Sequence, residues 1–328
     1  MPVVHGKKIL ITGGAGFIAT SIGERLVEDN ELTLFDLSFG ADQPINYSAL
    51  TSHPSVTTLE GDIRDQDRIS EAVQDVDVII HAAAVVGVNR VLQAARSTIE
   101  TNLLGTVNLI RAAHTHCPEL ERLIYFSTSE VFGGSSFRVD EANVASIGSV
   151  DEARWSYSIS KLAGEHLAFA YYREFGMPVT IVRPFNVFGP GRTGDHAVLR
   201  FISAALKGSD LVVYGDGAQV RSWCYIDDFV DAIMAMLDTD EAVGSDFNIG
   251  NSRNTLTIYE LAKRVLQLTE SDSQIVFEHI EHSDIDLRVP STRKAGAILG
   301  YEPRIEIEEA LRHTIDWYRE HPETMILD

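Results

Sequence analysis

The chain has 328 residues, of which 45% are hydrophobic and 23% charged, and a formal net charge of −21. That composition suits a globular fold with a substantial core, as one large or two modest domains, and the acidity argues against nucleic acid or an anionic membrane surface as a partner. Two cysteines, Cys117 and Cys224, lie far apart with no metal-ligand spacing, so we expect no disulfide framework, no metal and a reducing compartment.

The first strand is expected at Ile9-Leu10-Ile11, an uncharged apolar run of the kind buried on both faces of a parallel sheet. It enters Thr12-Gly13-Gly14-Ala15-Gly16-Phe17-Ile18-Ala19 and then a helical pattern through Ile22, Leu26 and Val27. Gly13 allows a tight turn, Gly16 lets the backbone approach a pyrophosphate, and the helix N-terminus supplies free N–H groups. Ala19 stands where a third Gly is common and is still small enough for close helix-strand packing. A second strand, Leu32–Phe35, ends in Asp36, twenty residues after Gly16. A carboxylate there, followed by Leu37, accepts ribose hydroxyls and repels a 2′-phosphate, which selects NAD over NADP. The chain reaches this first strand within about eight residues, leaving no room for a signal peptide, and no apolar run is long enough to span a bilayer. A cytoplasmic protein is expected.

Val56–Glu60 reads as the third strand, closed by Gly61-Asp62-Ile63-Arg64-Asp65. Two readings stand for this turn: Asp62 accepts the adenine amine with Ile63 packed on the ring, or Asp62 or Asp65 caps the helix that follows. The fourth strand, Val76–His81, precedes Ala82-Ala83-Ala84, whose small side chains admit a cofactor; His81 reads as a satisfied core histidine. Helical periodicity runs from Thr98 to His116. The fifth strand, Arg122–Phe126, runs into Ser127-Thr128-Ser129-Glu130, and a polar loop leads to a helix over Tyr157–Phe175. A sixth strand, Val179–Arg183, ends in Pro184-Phe185-Asn186. Beyond Gly189 come turn-rich segments, helices near Ala197–Leu206, Thr257–Leu268 and Ile307–Tyr318, a strand-helix step from Tyr225 to Leu237, and a short strand at Phe247–Gly250. The alternation predicts an α/β fold, a Rossmann-like doubly wound parallel sheet with a smaller, discontinuous α/β substrate domain. The division expected is 1–185 plus about 222–250 for NAD, and 186–221 plus 251–328 for the substrate.

Tyr157 and Lys161 stand at i and i+4, about 5–6 Å apart on one helix face. Bringing a phenol of pKa about 10 to neutrality asks for about 4 kcal/mol, which a neighbouring ammonium and a positive nicotinamide ring together supply in a dry site. Thr128 adds a hydroxyl for the same substrate oxygen.

With these residues in place the chain resembles the extended short-chain dehydrogenase/reductase family, and within it the nucleotide-sugar epimerases, dehydratases and decarboxylases. TGGAGFIA, Asp36, GDIRD, HAAA, STSEVFG, YSISK, RPFNVFGPG, YGDGAQVRSWCYIDD and FNIGN fall in the family's order over nearly the whole length. The resemblance implies a tightly held NAD, oxidation at the sugar C4 with Tyr157 as base, and Lys161 holding the nicotinamide ribose. Reaction branches at Ser129 and Glu130. Family epimerases often carry small residues at both positions, whereas the Ser-Glu pair is similar to GDP-mannose dehydratases and to UDP-glucuronate decarboxylases. The flank RWSYSISK looks most like the decarboxylase domain of lipid A-modifying enzymes, with Arg221 as proton donor. The resemblance further implies Asn186, Arg192, Arg221 and Arg288 as pyrophosphate or nucleotide contacts, Tyr214 as the base-stacking ring, a UDP-sugar substrate, and a homodimer built through a four-helix bundle. Ser291 departs from the family's R-x-P-D pattern. Arg90 is open between a sugar carboxylate and the surface, and His279 and His282 read as solvent-exposed. UDP-glucuronate decarboxylation leads; a 4,6-dehydratase and a 4-epimerase are the rivals, and a non-catalytic NAD-binding protein is the rival of another class.

Overall fold

A computed structural model describes residues 4–40, 46–194, 196–279 and 284–325. Its strands are β1 (Lys8–Thr12), β2 (Glu31–Asp36), β3 (Val56–Glu60), β4 (Val78–His81), β5 (Arg122–Phe126), β6 (Ser135–Val139), β7 (Val179–Pro184) and β8 (Val187–Phe188). They continue with β9 (Leu211–Tyr214), β10 (Val220–Ser222), β11 (Cys224–Tyr225), β12 (Ser245–Ile249), β13 (Thr255–Thr257), β14 (Ile275–Glu278) and β15 (Leu287–Pro290). The main sheet is parallel, in the order β12-β7-β5-β4-β1-β2-β3. Successive side chains point to opposite faces. Ile9 and Ile11 therefore join one apolar layer and Leu10 the other; Ile124 and Phe126 divide from Leu123 and Tyr125 in the same way. Helices cover both faces, which is why these strands read as continuous apolar runs. Each such side chain taken from water contributes about 1.5–3 kcal/mol.

Strand order reverses between β1 and β4, so the chain departs from the centre of the sheet in both directions. The crevice beyond the carboxyl ends of these strands is where a doubly wound sheet binds its ligand. Gly13, Asp36, Ala82 and Ser127 all leave the sheet at that edge.

A second sheet has the order β13-β10-β15-β6. Its β6 comes from the polar stretch before the Tyr157 helix, a segment that sequence reading leaves as loop within the larger domain. It pairs in parallel with β15, Ser136 opposite Arg288. Two-stranded pairs join β8 to β11 and β9 to β14. The helical run around Thr98–His116 is not continuous. A helix over Ala95–Ile99 passes into a π-helical turn over Glu100–Leu104 and then a helix over Gly105–His116. Among the described residues no helix is long and apolar enough to cross a membrane.

Candidate active site

The turn after β1 is shaped by contacts no larger residue tolerates. Gly13 has φ +71°, and a Cβ there would lie 2.7 Å from the backbone nitrogen of Ala83. Gly16 is the N-cap of the helix Phe17–Leu26, which has no side-chain cap and no acidic residue in its first turn. The N-terminus thus offers unneutralised N–H groups to an anion. The Asp36 carboxylate closes the cradle, accepting from Ala15 N at 3.0 Å and from its neighbour Leu37 N at 2.7 Å; the Leu37 side chain is 69% exposed. Burial raises the Asp36 carboxyl, and those two backbone donors pull it back. Ala82, Ala83 and Ala84 are half-buried along the facing edge. This cradle fits a dinucleotide with free ribose hydroxyls. Phe17 and Ile18, half-buried, pack on the core below it.

In the turn after β3 the structure bears out the capping reading. Asp65 is the helix cap, accepting from Asp67 N and Arg68 N. The Asp62 carboxylate is held by Arg64 at 2.5 Å, which lowers its pKa. Ile63 is buried, its side chain filling the space where Gly105 lacks one.

The helix Ser156–Phe175 carries Tyr157 and Lys161 and ends at Gly176, φ +71°. It lies close on β5 because Gly164 leaves room for the Tyr125 ring: a Cβ there would come 2.0 Å from the phenol oxygen. That phenol donates to the Lys161 carbonyl at 3.1 Å. Lys161 is 1% exposed, its ammonium 5.1 Å from the Tyr125 ring centroid, and Nζ has no hydrogen-bond partner among the described residues. An unpartnered buried donor at this place fits a ribose hydroxyl. Burial lowers the Lys161 ammonium to about 7, with Glu165 opposing. Burial also raises the Tyr157 phenol, Glu130 adding to it, while Thr128, Arg288 and Arg154 pull the other way. The residues present thus leave the phenol raised, so that the positive nicotinamide ring would have to favour the phenolate when NAD is bound, and sequence reasoning, which gave the protein's downward pull to Lys161, overlooked the arginines. His81 is a neutral core histidine. Thr106 donates its proton to the Asn102 carbonyl, so His81 Nε2 donates to Thr106 at 3.0 Å and Nδ1 accepts from Thr12 at 2.7 Å. Its pKa sits well below the usual value through burial and the Lys161 charge.

Thr128 and Ser129 follow β5, both buried, and Thr128 Oγ1 caps the next turn by accepting from Glu130 N. The Glu130 carboxylate is gripped on both oxygens by Arg154, at 2.6 and 3.2 Å. Ser158 donates to it at 3.3 Å, and Arg288 stands 3.7 Å away. Burial pushes this carboxyl up, but Arg154, Arg288 and Ser158 together hold it below the usual range. Arg288 also donates to the Gly133 carbonyl, and burial brings it down to about 9. Arg221 pairs with Asp284 at 3.4 Å and is lowered by burial. Arg154, missed as a site residue, is 3% exposed; its guanidinium lies 5.5 Å from the Trp155 ring. In the sequence Arg154 stands out only as part of the RWSYSISK flank; its burial and its pairing with Glu130 come from the fold.

Asn186 adopts φ +41°, and its amide donates to the Ser222 carbonyl at 2.8 Å, joining the end of β7 to β10. Arg192 is lowered to about 10 by burial; it lies 5.6 Å from the Phe17 ring, and its Nε has no partner among the described residues. Tyr214 is 37% exposed with the Arg200 guanidinium 4.3 Å over its ring. Arg90 and His279 are exposed, and His282 lies outside the described residues. Among the described residues no group of three or more His, Cys, Asp or Glu is arranged to hold a metal.

Comparison with known proteins agrees with this geometry. The family described as NAD dependent epimerase/dehydratase matches residues 9–250. A UDP-N-acetyl-alpha-D-glucosaminuronate decarboxylase of Bacillus cytotoxicus is 37% identical over 96% of this chain and 98% of its own. UDP-glucuronic acid decarboxylase 1 of Xenopus tropicalis is 32% identical over 97% of this chain and 73% of its own. A UDP-glucuronic acid 4-epimerase from Bacillus cereus, solved with UDP-glucuronic acid and NAD, superposes with a TM-score of 0.87 at 27% identity, over 96% of this chain and 99% of that one. The chain therefore belongs to the NAD dependent epimerase/dehydratase family of extended short-chain dehydrogenase/reductase enzymes and uses NAD as its cofactor.

Proposed function

We propose that this enzyme removes the C6 carboxylate of a UDP-linked hexuronate, of the UDP-glucuronate class, by way of a 4-keto sugar. The observation that carries the reading is the charge balance around Glu130. Three buried guanidiniums, Arg154, Arg221 and Arg288, face two half-buried carboxylates, Glu130 and Asp284. Such a surplus suits an anionic sugar and opposes the global acidity locally.

The chemistry that NAD supplies when bound is acceptance of the C4 hydride and its later return; Gly13, Gly16, Asp36, Ala82–Ala84 and Lys161 are the residues to hold it. Tyr157 takes the C4 hydroxyl proton, and the Thr128 hydroxyl shares that oxygen. The ketone then accepts the electron pair of the C5–C6 bond as carbon dioxide leaves, and the protonated Tyr157 hydrogen-bonds the resulting enolate oxygen. C5 needs a proton in return, and Arg221, its pKa lowered by burial, is the donor that fits. Loss of water from C6 would instead need a base at C5. Glu130, held ionised on both oxygens by Arg154, is a poor base and a good anchor. Ser129, the residue before that anchor, is buried. Asn186, Arg192 and Tyr214 serve the nucleotide diphosphate in this reading, while Arg288 stays with the Glu130 cluster.

The enzyme works, in this proposal, as a cytoplasmic homodimer through a four-helix bundle of the helices within 95–116 and 156–175. Leu104 and Ile159, 49% and 40% exposed on those helices, support it. Incubation with UDP-glucuronate, UDP-N-acetylglucosaminuronate and UDP-glucose, with products weighed by mass spectrometry, tests the reaction. Loss of carbon dioxide from a uronate supports it. Loss of water from UDP-glucose, or an unchanged mass with an inverted sugar, overturns it.

A further inference from the structure

Lys161 presents a difficulty that the site as described leaves open. The ammonium is useful beside Tyr157 only while it is charged, yet it is buried with no hydrogen-bond partner among the described residues. The groups acting on it are the neutral His81 from β4, the Tyr125 ring from β5, and Glu165 one turn further along the helix, while Tyr157 stands one turn before it. Only Glu165 brings a negative charge.

Glu165 is itself 3% exposed and completely engaged. Ser127, next to Thr128, donates its hydroxyl to Glu165 Oε1. Arg183, at the end of β7, donates from Nε to Oε1 at 2.8 Å and from Nη2 to Oε2 at 2.6 Å. The same guanidinium meets Asp246 of β12 at 2.9 Å, and the other oxygen of Asp246 takes Lys294 at 2.7 Å. Ion pairs thus run from Glu165 through Arg183 and Asp246 to Lys294, which is part-exposed, and Lys161 lies one helical turn before Glu165 on the same helix. Arg183 is shared between two carboxylates, so Glu165 is not neutralised by its own partner. Taking Glu165 away leaves two buried cations for one anion, and the group able to discharge is the ammonium rather than the guanidinium.

We propose that Glu165 is a positioning residue that keeps Lys161 in its ammonium form, fixed in place by Ser127 and by an Arg183 shared with Asp246. The catalytic use of that ammonium rests on the function proposed above; the control of its charge does not.

The test reads the two apart. In nucleotide-free protein carrying ¹³C-labelled lysine, the Lys161 Cε resonance, identified by its absence in Lys161→Met, is titrated against pH. Glu165→Gln is expected to move the midpoint to acid by about one pH unit or more, leaving about a tenth or less of the ammonium at the wild-type midpoint. Glu165→Asp is expected to restore most of the shift. Should Glu165→Gln not fold, Asp246→Asn removes the next negative charge, and a smaller acidward shift is expected there. An unmoved Lys161 midpoint in a folded variant overturns the inference. In turnover, Glu165→Gln is expected to bring the alkaline limb of the kcat profile to acid by the same interval, which a purely structural role would not do. A moved Lys161 resonance in a protein that transforms no nucleotide sugar would leave this inference standing and sink the reaction proposed above.

Discussion

Replacing Arg154 by Met separates the two things the Glu130 site does. The Arg154 and Glu130 side chains are 4% and 17% exposed, so solvent screens their pairing little. Removing one partner of such a pair typically costs about 3–5 kcal/mol, because the other charge stays buried. Ser158 at 3.3 Å and Arg288 at 3.7 Å remain, which places the expected loss near the lower end, about 3 kcal/mol. The pH dependence carries a sharper signature. In the wild type the Glu130 pKa is depressed, so its contribution to stability is present above the unfolded carboxyl value and is lost as pH falls through the folded one. Without Arg154, burial is left as the leading influence and raises that pKa. The contribution then reverses sign: relative to wild type, Arg154→Met gains stability as pH falls from neutrality toward the unfolded carboxyl value. Urea unfolding at several pH values measures both effects. The double variant Glu130→Gln/Arg154→Met should recover at least half of the lost stability while remaining unable to decarboxylate. An Arg154→Met protein as stable as wild type, or one whose difference from wild type does not vary with pH, would refute the pairing.

Three further outcomes follow from the same geometry. Gly13→Ala forces a Cβ against the Ala83 backbone at a positive φ, so NAD affinity falls and the melting temperature drops, both read by a thermal-shift titration with NAD. Tyr157→Phe should lower kcat by about 10²–10⁴ with NAD binding retained, measured by product formation and by NAD titration. Ile159→Glu places a charge in the proposed bundle and should give a monomer in analytical ultracentrifugation, with folding intact because the side chain is 40% exposed.

The large sheet was legible because its central strands are buried on both faces, which leaves apolar runs such as Ile9-Leu10-Ile11 and Leu123–Phe126. Its turn residues were legible for a related reason: a chain that must lie 2.7 Å from another backbone has to place Gly there. β6 was not, since Ser135–Val139 is an edge strand with Phe137 64% exposed, and it carries no apolar run to announce it. The π-helical turn at Glu100–Leu104 keeps the helical periodicity almost intact, so pattern alone passes over it. It nevertheless points Asn102 inward, where its side chain holds Val85 N at 2.7 Å and reaches Ser160 at 3.2 Å. The Glu130–Arg154 and Glu165–Arg183 pairs span 24 and 18 residues. Glu130 stood out through the family resemblance, but nothing in the sequence pairs it with Arg154 or Glu165 with Arg183, and only the fold brings them together.

The most direct test of the central claim is turnover of UDP-glucuronate carrying ¹³C at C6, in deuterated water with NAD-loaded enzyme. The account predicts that the label leaves as carbon dioxide and that the nucleotide pentose product holds one deuterium at C5. Label retained in the nucleotide sugar, whatever its stereochemistry, would contradict it.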